Sequence, residues 1–278
     1  EQVLKGAIYG TNQEGKHLVT LDSIVPNLSL MRQYVPMMQH LFSDGLFESM
    51  RVFNGKIFNR KAHENRLEKG LNILKLSLEK PVSSLFDEVE DLLSKNDISK
   101  GGFARLMLYR DAQGSYTPSI NKAAYWIECS KCNSNQFELQ EKPIETVFFT
   151  EHKKPSSKLS NIKSNNALLY VLASIHAKEQ MADDAILLNE KGNVIESTNA
   201  NLFVVKEGKL YTPPLADGPL EGTLRSLILQ YFEVEERSVS IEDYEVADEV
   251  FLTNAHGIRL VKKGVKAKEI VRQLNNLI

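Results

Sequence analysis

Only two cysteines occur among the 278 residues, Cys129 and Cys132, in the run Cys-Ser-Lys-Cys. A structural zinc normally takes four ligands, and no second Cys or His pair with suitable spacing follows. A thioredoxin-like dithiol opens a helix, whereas Asn133-Ser134-Asn135-Gln136 has the composition of a loop. The pair therefore reads as two reduced thiols, with no metal site, which suits a cytoplasmic protein. No apolar run approaches the roughly 20 residues of a membrane span, and no basic-then-apolar leader follows Glu1. A charge excess is also missing. The 34 basic and 36 acidic residues give a formal charge of −2, so nothing draws the chain to nucleic acid or an anionic membrane, and a small molecule is the expected partner. The glycine fingerprint for dinucleotides, the P-loop, the His-Glu-x-x-His zinc helix and the Gly-x-Ser-x-Gly elbow are absent. So are internal repeats and low-complexity tracts.

What is present is the composition of a soluble globular protein, 42% hydrophobic and 25% charged, at a length that predicts two domains. β-branched-rich runs at 102–109 and 123–129 alternate with stretches of helical period, an α+β pattern. Leu67, Leu71, Leu74 and Leu78 predict a helix from about residue 60 to 78, ended with help from Pro81. The polar run 131–136 marks the domain junction, with a first domain over 1–130 and a second over 137–278. In the second, a helix is expected over 165–180 with Leu168, Leu172 and Ile175 inward. A strand at 185–188, a turn at 190–193 and a hairpin around Glu207-Gly208 should follow. A helix starting at Gly222, a strand at 249–253 and a closing helix over 267–278 complete the reading.

Several short segments stand out in order along the chain. They are Asp44-Gly45-Leu46-Phe47-Glu48-Ser49-Met50-Arg51, His63-Glu64-Asn65-Arg66-Leu67, Ile162-Lys163-Ser164-Asn165-Asn166, Asp183 to Asn189, Gly192 to Glu196, Asn201-Leu202-Phe203 and Ala247 to Phe251. In this order and spacing they resemble the class IV aminotransferases that use pyridoxal 5′-phosphate (PLP), which include branched-chain aminotransferases, D-amino-acid aminotransferases and 4-amino-4-deoxychorismate lyases. The resemblance covers most of the chain. It implies an α+β, two-domain D-amino-acid-aminotransferase-like PLP fold, with a small N-terminal α/β domain and a larger C-terminal one.

The resemblance also implies roles. Lys163 would hold the cofactor as a Schiff base and, once freed, serve as the catalytic base. Glu196 would sit on the pyridine nitrogen and favour its protonation. Arg66 would take the phosphate, together with the helix start Gly222-Thr223-Leu224 and the loop at Asn254 and Ala255. Gly222-Thr223-Leu224 departs from the family's usual Gly-Ile-Thr, which leaves the amides in place but not the hydroxyl. Phe47, Glu48, Phe103 and Arg105 would meet substrate, and Arg105 matches the arginine that binds the side-chain carboxylate of glutamate. The D-amino-acid enzymes carry a carboxylate-binding arginine that would fall near Ser115 and is not found here. The expected activity is transfer of an amino group between an L-amino acid, glutamate or branched-chain in type, and a 2-oxo acid, in a homodimer. The lyase that makes 4-aminobenzoate and pyruvate is the alternative, and a non-catalytic binding protein on the same fold comes third. His40 could face the site, although a structural histidine is the more ordinary reading.

Overall fold

The computed structural model describes residues 7–12, 15–20, 44–112 and 116–278, so His40 and Ser115 lie outside the described residues. Two compact units divide the chain: 1–136 with 163–166, and 137–162 with 167–278.

The first unit is built on an antiparallel sheet in the order β2-β1-β6-β5-β3-β4. Its strands are β1 (Ala7–Asn12), β2 (Gly15–Thr20), β3 (Gly45–Phe53), β4 (Lys56–Ile57), β5 (Gly101–Arg110) and β6 (Ala123–Cys132). Neighbouring residues of a strand face opposite ways. On β3, Leu46, Met50 and Val52 are buried on one side, while Phe47, Ser49 and Arg51 face the other. Helices α1 (Arg60–Leu74) and α2 (Val82–Lys95) accompany this sheet. Helix α2 buries Val82, Leu85, Phe86, Val89, Leu92 and Leu93, a stripe at helical spacing in which each side chain contributes roughly 1.5–3 kcal/mol.

Two boundaries differ from expectation. Helix α1 stops at Leu74 because Lys75 turns left-handed at φ 54° and Ser77 pairs with the chain at Asn121 and Ala123. Leu78 is thus outside the helix, and Pro81 precedes α2 instead of closing α1. Strand β6 runs on to Cys132, opposite Gly101, so the polar run supplies a strand end before it becomes loop.

The second unit contains β7 (Thr146–Lys154), β8 (Asp184–Asn189), β9 (Val194–Ser197), β10 (Asn201–Lys206), β11 (Lys209–Thr212), β12 (Glu235–Glu236), β13 (Glu249–Asn254) and β14 (Gly257–Lys262). Strand β8 is buried along its whole length, parallel to β7 and antiparallel to β9. The β10–β11 hairpin turns on Glu207 and Gly208, both at positive φ, as a two-residue hairpin of this twist requires. Helices α3 (Lys158–Asn161), α4 (Leu168–Glu179), α5 (Thr223–Tyr231), α6 (Ile241–Glu245) and α7 (Lys266–Asn275) complete the unit. The buried Glu249 accepts the first amides of α7, from Lys266 and Ala267, each at 2.8 Å, where a helix start favours an anion.

Helix α4 corrects the expected facing. It packs through Ala173 and Ala177, with Leu169 and Tyr170, against Phe149, Ala185, Leu187 and Ile195. Leu168, Leu172 and Ile175 point outward, at 68%, 36% and 48% exposure, and Val171 joins them at 51%. The helix is apolar on two faces, and small residues seat the inward one closer to the sheet.

Candidate active site

In the first unit, residues 163–166 lie along the start of β3. The Phe47 amide donates to the Lys163 carbonyl and the Asn165 amide to the Gly45 carbonyl, both at 3.0 Å. A side chain at position 45 would run into the Leu108 carbonyl and the Asn165 side chain, so the close pairing needs glycine. Helix α4 begins five residues after Lys163, which therefore sits in an extended segment and not at a helix entrance. Its Nζ lies 4.2 Å from the centroid of the Phe47 ring.

Glu48, one residue on, faces the other side of β3 toward α1. Arg66 Nε donates to Glu48 Oε1 at 2.8 Å and Arg66 Nη2 to Oε2. His63 Nδ1 meets Oε2 at 2.6 Å. All three side chains are buried. Burial alone would push the Glu48 carboxyl up, but the Arg66 charge and the His63 hydrogen bond prevail and hold it at about 2. Burial pushes the His63 imidazole down, against the opposing pull of Glu48. Glu64 pairs with Arg60 and Lys61, leaving Arg66 to the more distant Glu48.

Phe103 and Arg105 of β5 stand opposite Arg51 and Ser49 of β3, on the Phe47 side of the sheet. The Arg51 guanidinium covers the Phe103 ring at 4.4 Å. Arg105 is half-exposed and 3.3 Å from Glu128. Phe47, Phe103 and Arg105 thus share a face that Glu48 does not. Arg110 is bonded to Asp44 and, at 2.7 Å, to the Leu74 carbonyl, a structural anchor for the strand end.

In the second unit, Glu196 of β9 is buried to 2%. Its Oε1 accepts from Lys154 Nζ at 2.5 Å and from the Tyr170 hydroxyl at 2.9 Å. Its Oε2 accepts the Leu220 amide at 2.8 Å. Burial and the neighbouring carboxylate both push the Tyr170 phenol up, so it stays a donor. Downstream, Gly222 precedes α5 without a side-chain cap, and any Cβ there would strike the Asn201 side chain, whose amide holds the Leu220 carbonyl at 2.8 Å. Thr223 and Leu224 follow, both buried. Asn254 closes the β13–β14 turn, accepting from the His256 amide at 2.9 Å and donating to the Asn199 carbonyl at 3.2 Å. Ala255 follows it in that turn.

Sequence reasoning did not find His63, Lys154 or Tyr170. His63 lay within the segment that carries Arg66, but nothing near Lys154 or Tyr170 in sequence pointed to residue 196.

Each unit thus holds a buried acid bonded to a basic side chain, Glu48 to Arg66 and Glu196 to Lys154, and the first also offers a lysine amine beside an aromatic ring. The overall architecture is that of known PLP enzymes: a branched-chain amino acid aminotransferase from Thermobaculum terrenum, crystallised in its PLP form, matches with a TM-score of 0.83 at 21% identity, over 99% of this chain and 94% of that one. The model of the family "Amino-transferase class IV" matches residues 45–263, and the chain belongs to that family. Among curated relatives, the "Putative branched-chain-amino-acid aminotransferase" of Methanocaldococcus jannaschii is 30% identical over 219 residues, 77% of this chain and 75% of that protein. The aminodeoxychorismate lyase of Vibrio harveyi is 26% identical over 235 residues, 81% and 85% of the two chains.

The family's cofactor is PLP, and the residues present fit it. A carboxylate has about four acceptor directions. Three donors reach Glu196, which leaves one direction on Oε2 for a ring nitrogen. The hydroxyls of Ser197, beside Glu196, and Thr253, beside Asn254, are buried without a protein partner, as groups that meet a polar ligand would be. Among the described residues no cluster of His, Cys, Asp or Glu is arranged to hold a metal ion, and no helix is long and apolar enough to cross a membrane.

Proposed function

We propose that the protein is a PLP-dependent aminotransferase that moves an amino group between an L-amino acid, glutamate or branched-chain in type, and a 2-oxo acid, with Lys163 as the covalent anchor. The observation that carries this reading is the pinning of Lys163 to β3, which presents its amine on the Phe47 ring while Glu48 takes the opposite face. When bound, PLP supplies an electron-withdrawing ring that stabilises negative charge at the substrate Cα. Lys163 Nζ would take the proton from that carbon and pass it to the cofactor carbon joined to the substrate nitrogen. Glu196 would accept from the ring nitrogen. Arg66, whose Nε and Nη2 are held by Glu48, would meet the phosphate, as would the amides of Gly222, Thr223 and Leu224 and the Asn254–Ala255 turn. Phe47, Phe103 and Arg105 form the substrate face.

The competing lysine is Lys154, buried and next to Glu196. Borohydride reduction of the PLP-loaded protein followed by peptide mapping separates the two. Label on Lys163 and loss of the visible band in Lys163→Ala support the reading; label on Lys154 ends it. Glutamate should then convert the bound aldehyde to the amine form and a branched 2-oxo acid reverse it. Release of pyruvate from aminodeoxychorismate without a 2-oxo acid acceptor identifies the lyase instead. A protein that takes up PLP but reacts with neither substrate is a binding module.

The outward stripe Leu168, Val171, Leu172 and Ile175 supports a homodimer, since four large apolar residues at helical spacing are costly to leave in water. Leu172→Glu with Ile175→Glu should halve the mass in sedimentation. A cytoplasmic location would suit Cys129 and Cys132, which form no disulfide.

A further inference from the structure

The lysine that the transfer reaction does not use is the best-connected one in the second unit. Lys154 ends β7 with 5% exposure. Its Nζ donates to the Ser160 carbonyl at 2.9 Å and to Glu196 Oε1 at 2.5 Å, and it lies 5.3 Å from the Tyr170 ring centroid. A lysine is rarely buried unless paired, and here the pairing is with the acid proposed for the ring nitrogen.

Consider Glu196 without that ammonium. Tyr170 from α4 and the Leu220 amide are neutral donors. Across the strand pairs stand Leu187 and Asn201, which carry no charge. A carboxylate buried to this degree with neutral donors alone tends to take up a proton. With Lys154 present, the positive charge favours the ionised form, and the carbonyl of Ser160 aims the ammonium at Oε1, so that the open direction remains on Oε2.

We propose that Lys154 is a positioning residue that keeps Glu196 ionised before the cofactor arrives, so that the ring nitrogen meets a carboxylate and not a carboxylic acid. The inference rests on the reading of Glu196 as the partner of that nitrogen. Its proton balance is definite. In the parent protein Glu196 enters the complex without a proton, and any proton on the ring nitrogen comes with the cofactor or from solvent. In Lys154→Met a proton already on Glu196 is passed to the nitrogen or released, so binding takes up fewer protons.

The experiment counts protons exchanged as PLP binds to the cofactor-free full chain at pH 7, by titration calorimetry in buffers of different ionisation enthalpy. Lys154→Met should take up fewer protons per PLP than the parent, by as much as one, while Lys154→Arg should match the parent. In a Glu196→Gln background, Lys154→Met should make no difference. Equal counts for Lys154→Met and the parent overturn the proposal. Should the methionine variant fail to fold, the urea midpoint of cofactor-free Lys154→Gln gives the same reading. With Lys154 gone the buried acid should fold carrying a proton, so that midpoint should fall further below the parent as pH rises from 5 to 8; a difference independent of pH overturns the proposal. Failure of the underlying reading looks different: Glu196→Gln would then bind PLP with unchanged affinity and absorption spectrum.

Discussion

Two buried carboxylates, one in each unit, are held by different kinds of cation. Glu48 is gripped by the planar fork of Arg66, with both oxygens engaged, and by His63. Glu196 receives a point charge from Lys154 on one oxygen and a backbone amide on the other. An arginine fork fixes orientation and uses up acceptor directions, whereas a lysine supplies charge through a single contact. Glu48 is therefore committed to the protein, and Glu196 still has a direction open to accept. The first suits a strut beneath the arginine proposed for the phosphate, the second the acid proposed for the ring nitrogen.

The largest effect should come from breaking the strut. Arg66→Ala strands a buried charge and should cost about 3–5 kcal/mol in urea denaturation, more than Lys154→Met, because Glu196 keeps two neutral donors. Equal losses would dissolve the comparison.

Acid should come next. Glu48 has a folded pKa near 2, below the ordinary 4.5, so the native state binds fewer protons than the unfolded chain between those values. The associated stability is complete above about pH 4.5 and is lost as pH falls toward 2, by something on the order of 3 kcal/mol. His63, also lowered, adds a loss that begins below about pH 6.5, where the unfolded histidine charges first. Glu48→Gln should flatten the lower part of this profile; an unchanged profile would place the acid sensitivity elsewhere.

Pairs nearer the surface should matter less to stability. Arg105 and Glu128 are each more than two-fifths exposed, so Arg105→Ala should change stability by under about 1 kcal/mol. It should weaken glutamate as amino donor roughly tenfold more than leucine, about 1.4 kcal/mol of lost binding; equal losses for the two donors would remove its carboxylate role. A similarly small change belongs to Asp243, which Arg237 and the Ser240 capping box hold at about 2. Its low value matches that of Glu48, but it is close to solvent and its Coulomb part is screened. Ser240→Ala should cost about 1 kcal/mol in thermal or urea unfolding, the ordinary worth of a cap.

The comparison also separates what sequence made legible from what it did not. The Glu207-Gly208 hairpin, the turn after β8 and the helix start at Gly222 are written in local turn and cap chemistry, and were read within a residue or two. Helix α1 was read four residues too long because its end depends on Ser77 joining a chain segment more than forty residues away. The outward face of α4 was misread because Leu168, Leu172 and Ile175 have the right period for a core, and only packing reveals that Ala173 and Ala177 win the sheet. The roles given to Lys163, Arg66 and Glu196 came from an ordered set of motifs. Their partners did not, since Glu48 with Arg66, and Lys154 with Glu196, are pairings made by folding and not by spacing.

The four residues from Lys163 to Asn166 belong with the first unit while the chain on either side of them belongs with the second. The polypeptide accordingly crosses between units at 136/137, 162/163 and 166/167. A gene fragment ending at residue 136 would encode the sheet without the strip that pairs with β3, and the remaining fragment would carry Lys163 away from Phe47. The first unit is therefore discontinuous in sequence, and a transplanted first half would need residues 163–166 supplied to it to complete the pairing along β3.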